Sequence, residues 1–518
     1  MRANIRIREA NSIAKGEDGM SDLVLAIDQG TTGTTVFVID SSGRVRGRAY
    51  REIHQYYPRP GWVEHDAEEI AHAAIGLGKA ALKAARAKAS DLRGIGITNQ
   101  RETFLLWERR SGKPLHRAIV WQCRRSAAIC RSLLERENEV TERTGLLIDP
   151  YFSGTKLKWL LDERPAWRSR AERGELCFGT IDTWLAFRLS RGASFVTDYT
   201  NASRTMLLNL ERLEWDEEML AMLGAPRQML PTLVSSRGPM AETAAGTIGP
   251  RAVPIAALIG DQQAALYGQG AVHPGHSKAT YGTGAFLLMN TGNERVRSRH
   301  RLLATAALGP DGTRAFALEG SVFVAGAAIQ WLRDGLGLLK RAADSLALAR
   351  RSRDRTQVYM VPAFVGLGAP HWDSAARGAI LGITRGTGRA DIVRAALDSI
   401  AYQVRDVFSA MEQDTARTMS ELRADGGASM NPYLLQFQAD IIGKPVRRPK
   451  MAETTALGSA MLAGLATGVW GHQRDLEVFH RGAKVFRPKM KSDTRELLLA
   501  GWRDAIARVR QPGARVAP

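Results

Sequence analysis

Short apolar runs alternate along this chain with longer amphipathic stretches, and the two periods predict strands and helices in turn. Leu23-Val24-Leu25-Ala26-Ile27 reads as a buried strand, followed by the polar turn Asp28-Gln29-Gly30-Thr31-Thr32-Gly33-Thr34-Thr35 and a returning run, Val36-Phe37-Val38-Ile39. Asp66-Ala67-Glu68-Glu69 signals a capped helix to about Ala89, with a strand over Gly94-Ile95-Gly96-Ile97 after it. Later come a strand at Val358-Val361, a long helix over Asp391–Met411, and a strand at Leu422-Arg423-Ala424-Asp425. That last strand ends in Gly426-Gly427, leaving room for a flat ring or ribose, with a helix from about Asn431. A final helix, Thr455–Gly468, interleaves Gly458, Ala460, Ala463 and Gly464, small residues suited to close packing. The whole is α/β patterning.

The first strand-turn-strand unit recurs in the second half. Ala279-Thr280-Tyr281-Gly282-Thr283-Gly284 leads into Ala285-Phe286-Leu287-Leu288-Met289 with the same grammar, so the chain reads as internally duplicated. A length of 518 residues exceeds one core and implies two large domains. The pattern breaks at Gly270–Gly275, which puts the domains at 21–272 and 273–518 after a tail of residues 1–20. That tail carries Arg2, Arg6, Arg8 and Lys15 without a signal peptide's apolar core, and its Glu9, Glu17 and Asp18 speak against a transit peptide. A chain starting at Met20 is expected to match the full one in melting temperature and activity. A cleft between the two halves is the expected ligand site.

Composition narrows the function classes. The apolar fraction of 44% suits a globular chain, and no apolar run reaches the length of a membrane span. Cys123, Cys130 and Cys177 are too few for a zinc site or disulfide framework, which fits a reducing cytoplasm. The net charge of +19 raises the question of nucleic acid. The arginines are scattered, however, with only small clusters such as Arg109-Arg110, Arg350-Arg351 and Arg447-Arg448, so solvated helix faces and no specific nucleic-acid partner are expected. Steering of an anionic nucleotide is a side benefit.

Two sets of residues carry candidate chemistry. Glycine-threonine turns let backbone amides and hydroxyls converge on phosphate oxygens, although either turn alone also reads as an ordinary hairpin. Gly260-Asp261-Gln262-Gln263 and Asn99-Gln100-Arg101-Glu102-Thr103 supply a proton acceptor, an amide and an opposed charge pair for hydroxyls, although a lone Asp-Gln also caps helices. Without context Trp121 and Tyr151 read as core aromatics, and His65 and His371 as local hydrogen-bonding groups. There is neither a Walker A motif nor a dinucleotide fingerprint.

These residues, with Gly61-Trp62-Val63-Glu64-His65-Asp66, Ile119-Val120-Trp121-Gln122-Cys123-Arg124-Arg125, Tyr151–Glu163 and Gly378–Asp398, resemble the FGGY carbohydrate kinases over about Asp22–Trp502. Within that family the match is to those acting on glycerol. The resemblance implies two ribonuclease H-like domains of the actin, hexokinase and Hsp70 type closing over ATP and glycerol. It implies that Arg101, Glu102, Tyr151, Asp261 and Gln262 hold glycerol, with Trp121 and Phe286 against its carbon face, and that Asp261 is the general base. Thr31, Thr32, Gly33 and Thr283 would cradle phosphates. Gly326, Gln330, Gly427 and Asn431 would line the nucleotide pocket. Asp28, through water, would organise Mg²⁺, with Asp261 as a second carboxylate. Thr35 stands where this family usually has an arginine facing nucleotide phosphate, which implies weaker nucleotide binding, and Ala285 where cysteine is common. A kinase for another short polyol or sugar and an actin- or Hsp70-like ATPase are the alternatives. A homo-oligomer is left open.

Overall fold

Two mixed sheets organise the computed structural model, which describes residues 22–352, 358–373 and 375–510. The expected tail of residues 1–20 lies outside the described residues. The first sheet holds β1 (Leu23–Gln29), β2 (Gly33–Asp40), β3 (Val45–Glu52), β4 (Leu92–Asn99), β5 (Arg237–Glu242) and β6 (Pro254–Gly260), in the order β5-β6-β4-β1-β2-β3. The second holds β7 (Ser277–Tyr281), β8 (Ala285–Gly292), β9 (Leu303–Leu308), β10 (Arg314–Val322), β11 (Leu422–Asp425), β12 (Val446–Arg448) and β13 (Lys484–Phe486), in the order β9-β10-β8-β7-β11-β12-β13.

The duplication read from the two glycine-threonine turns is borne out by strand direction. β1, β2 and β3 run antiparallel and β1, β4 and β6 parallel. β7, β8 and β10 repeat the antiparallel trio, and β7, β11 and β12 the parallel one. β1 and β4 are apolar on both faces, as parallel strands covered from both sides must be.

Helix α1 (Ala67–Ala85) starts where expected, with the Asp66 carboxylate accepting from the amides of Glu68 and Glu69. It stops short of Ala89 because Arg86 turns left-handed (φ 54°) and donates back to the last turn. The other helices that matter here are α2 (Asp261–Gly268), α3 (Gly326–Asp334), α4 (Arg389–Thr415), α5 (Pro432–Ile442) and α6 (Thr454–Thr467).

α6 follows β12 in the chain but packs with Val24, Ala26, Phe37 and Ile259 behind the first sheet. Its small residues explain the placement: a Cβ at Gly458 would overlap the Ala264 carbonyl of α2, and one at Gly96 of β4 would overlap the Ser459 carbonyl. Only a stripe without bulk lets α6 lie against both at once.

Candidate active site

The turn after β4 carries two almost fully buried charges side by side. Arg101 and Glu102 are 2% and 1% exposed, and Glu102 sits at φ 60°, a conformation that costs a non-glycine residue free energy and clusters at functional sites. Burying a guanidinium demands partners, and Arg101 finds them on both sheets. Its Nη1 and Nη2 donate to the two oxygens of Glu319 on β10 at 2.6 and 3.0 Å, Nη1 donates to Gln263 Oε1 at 3.2 Å, and Nη2 to the Tyr151 hydroxyl at 3.4 Å. Its Nε lies 3.3 Å from Asp261 Oδ1. Arg204, fully buried, closes the set by donating to Glu102 at 2.7 Å and Glu319 at 3.0 Å. Burial raises the Glu319 pKa, but Arg101 and Arg204 more than offset that and hold it at about 2. Glu102 moves the other way, raised by burial against the pull of Arg204 and Arg101.

Asp261 opens α2 on the strand-to-helix turn after β6, with its side chain 27% exposed. Burial raises its pKa, opposed by Arg101, by Lys278 and by the hydrogen bond that its Oδ1 accepts from the Gln262 amide at 2.6 Å. Gln262 accepts from Lys278, a fully buried lysine on β7 that also donates to Thr280 Oγ1 at 2.9 Å. Burial lowers that ammonium to about 8 although Asp425, Asp261 and Glu319 oppose it. Asp28, at the end of β1, is pushed up to about 7 by burial, then by the charges of Asp261 and Glu453. Two carboxylates with raised pKa values, Asp28 feeling the charge of Asp261, suit a hard divalent cation, and no group of three or more metal-ligating side chains stands among the described residues. That donor set fits Mg²⁺ held by one or two carboxylates together with substrate phosphates.

The two glycine-threonine turns converge through aromatic rings. Trp121 Nε1 donates to Thr31 Oγ1 at 2.9 Å, and its ring meets Tyr151 edge-on at 5.5 Å and Phe286 of β8 at 6.5 Å. Thr32 and Thr283 are exposed at the turn tips. Gly33 is buried where a Cβ would press on the Arg51 carbonyl and the Tyr50 ring, so it serves the approach of β3. Gly326 begins α3 with its amide donating to the Gly282 carbonyl at 2.9 Å, which fastens the second turn to a helix N-terminus, and Gln330 is exposed one turn on. Gly427 faces open space beyond Gly426, whose φ of 84° and contact with the Tyr281 backbone require glycine. Asn431 caps α5, accepting from the Tyr433 amide at 3.0 Å, and donates to Ser345 Oγ at 3.2 Å, so it fixes the pocket edge with its side chain already engaged. His65 is a buried strut between Gln55 at 2.8 Å and Gln100 at 3.2 Å, with a pKa lowered by burial to about 4. His371 lies 3.2 Å from Asp406.

Glu319, Arg204 and Lys278 were not among the expected site residues. The available signal was a single charge inside an apolar strand, as in Ala315-Phe316-Ala317-Leu318-Glu319-Gly320.

Residues 23–268 match the N-terminal domain of the FGGY family of carbohydrate kinases and residues 277–467 its C-terminal domain. The chain is 52% identical over 488 residues to a glycerol kinase of Deinococcus radiodurans, covering 94% of this chain and 97% of that one. It is 52% identical over 494 residues to one of Dechloromonas aromatica, covering 95% and 98%. Among solved structures it superposes on Plasmodium falciparum glycerol kinase with ADP at a TM-score of 0.89, with 34% identity, over 95% of this chain and 99% of that one.

Proposed function

Because the chain belongs to the FGGY family of carbohydrate kinases, we infer that its cleft transfers the γ-phosphoryl group of ATP to glycerol, giving sn-glycerol 3-phosphate. The observation that carries this reading is the buried Arg101–Glu102 pair, locked by Glu319 and Arg204 beside Asp261. A charge pair fixed this firmly accepts and donates to neighbouring hydroxyls of a short polyol, and it rejects an acceptor that leaves either group unpaired.

Asp261 is the general base on the attacking hydroxyl. Its raised pKa keeps proton affinity where a carboxylate in water would have little, while Arg101 and Lys278 keep it ionised enough to accept. Tyr151, Trp121 and Phe286 wall the carbon face, and Gln262, held by Lys278, donates to a hydroxyl. Phosphoryl transfer needs in-line positioning and neutralised oxygens more than strong base chemistry. Thr31, Thr32 and Thr283 present hydroxyls and amides to the phosphates from the two sheets. Mg²⁺, when bound near Asp28, neutralises phosphate oxygens. The nucleotide occupies the Gly326–Gln330 and Gly427–Asn431 side, in the cytoplasm where the chain's three reduced cysteines are at home.

The test is ADP release coupled to an optical assay, with glycerol, with xylulose, with gluconate and with no acceptor. Release that needs glycerol and exceeds the longer acceptors by at least about a hundredfold in kcat/KM is expected. Release without acceptor at a comparable rate would make the protein an ATPase.

A further inference from the structure

A cavity of about 420 Å³ opens on the far side of α2 from Asp261, lined by Gln269, Arg423, Arg447, Arg474, Glu477 and His480 among others. At 1.5 Å per residue the length of α2 sets the two ends about 12 Å apart, and the cavity shares no residue with the candidate active site. Its walls come from both sides of the molecule. Gln269 follows α2, Arg423 and Arg447 lie on β11 and β12 of the second sheet, and the Gln473–His480 segment anchors Leu476 and Phe479 in the core behind the first.

Three features mark this as a built site. Gln269 is only 4% exposed, yet neither its amide nitrogen nor its amide oxygen has a hydrogen-bond partner. An orphaned buried amide is costly and is kept where something else satisfies it. The arginines also have unspent donors. Arg423 and Arg447 each give Nε to Glu421, at 3.0 and 3.1 Å, and Arg423 gives Nη1 to the Gln269 carbonyl. The terminal nitrogens of Arg447 have no hydrogen-bond partner among the described residues, and Arg474 has no ion pair among them. Finally, Glu477 is the one carboxylate among the lining residues, against three guanidiniums. His480 is held neutral at physiological pH, its pKa lowered to about 4 by burial and then by Arg423 and Arg447, so it can offer an anion one ring N–H but no charge.

We propose that this cavity is a second binding site, distinct from the catalytic cleft, for a phosphate-bearing anion. The free ends of Arg447 and Arg474 hold the phosphate oxygens, against a wall that includes the partnerless Gln269 amide. Guanidinium forks match phosphate geometry, and partial burial strengthens each charge-assisted bond. Inorganic phosphate and the phosphate of an organic ester share this chemistry; an ester adds hydroxyls that Glu477 can accept from.

Calorimetry on the full chain, with ADP, Mg²⁺ and glycerol saturating the cleft, tests the site by titrating inorganic phosphate and, separately, ribose 5-phosphate. The wild-type chain is expected to bind at least one of them saturably at this site. Tighter ribose 5-phosphate supports an ester as the natural occupant, and tighter inorganic phosphate supports the free ion. Arg447→Gln combined with Arg474→Gln is expected to weaken that site at least about tenfold while kcat and KM without added anion stay as in the wild type. Arg474 is exposed, so Arg474→Glu alone serves as a variant that keeps the fold, with the same loss expected. No saturable binding to the wild type up to about 10 mM, or binding to the variants indistinguishable from it, would overturn the proposal.

Discussion

Asp261 and Asp28 carry the sharpest expectations for single residues. Asp261→Asn keeps the shape of the side chain and loses proton acceptance, so kcat should fall by at least about a hundredfold with a smaller change in glycerol KM; steady-state kinetics decide it, and near-normal turnover would remove Asp261 from the chemistry. Asp28 makes a prediction in pH. Its folded-state pKa of about 7 lies above the ordinary aspartate value of 3.8, so between those values the folded chain binds more protons than the unfolded one, and stability falls as pH rises through that window. Asp28→Asn removes the penalty: melting without ligands should rise by about 2 °C or more at pH 8 and scarcely at pH 4, while turnover is lost. Equal melting shifts at both pH values would contradict the raised pKa. Thr35 pairs across the sheet with Asp28, and Thr35→Arg should tighten ADP binding by about 1–2 kcal/mol in calorimetry with glycerol affinity unchanged. Some of this site was readable from the chain because its polar residues cluster at strand ends, as in Asn99–Thr103 and Gly260–Gln263. Glu319 and Arg204 were hidden for the opposite reason. Each is a single charge in unremarkable surroundings, and its partners lie far off along the chain: 218 residues from Arg101 to Glu319 and 115 from Arg204 to Glu319.

At the level of elements, β10 and α6 each do something that local pattern does not announce. β10 reads as an interior strand, yet through Glu319 it fixes the orientation of Arg101 on the other sheet's turn. Glu319→Gln leaves two buried guanidiniums short of a counter-charge, so a loss of about 3–5 kcal/mol in denaturant unfolding is expected, together with a raised glycerol KM. An unchanged KM would separate Glu319 from the substrate side. The small-residue stripe of α6 was legible as a close-packing surface, but a stripe says only that something approaches, and the something proved to be α2 and β4 of the first sheet. The same limit applies to the end of α1, where propensity continues past Ala85 and the left-handed Arg86 stops the helix.

The whole molecule is a duplicated unit whose two copies of one sheet each present a glycine-threonine turn, and the duplication was visible because both turns keep the same order of strand, glycine, threonine and strand. What the order could not give is how the copies meet. They meet at Arg101, which reaches Glu319 on one sheet and Asp261 just past the end of β6 in the other, and at Trp121, which joins Thr31 to Phe286. Removing Arg101 from that junction is expected to damage glycerol binding and spare the nucleotide. The direct measurement is the glycerol KM and the ADP dissociation constant of Arg101→Ala beside the wild type. A loss of about 1–3 kcal/mol toward glycerol with nucleotide binding nearly unchanged is expected, whereas an unaltered glycerol KM, or equal losses for both ligands, would remove Arg101 from acceptor recognition.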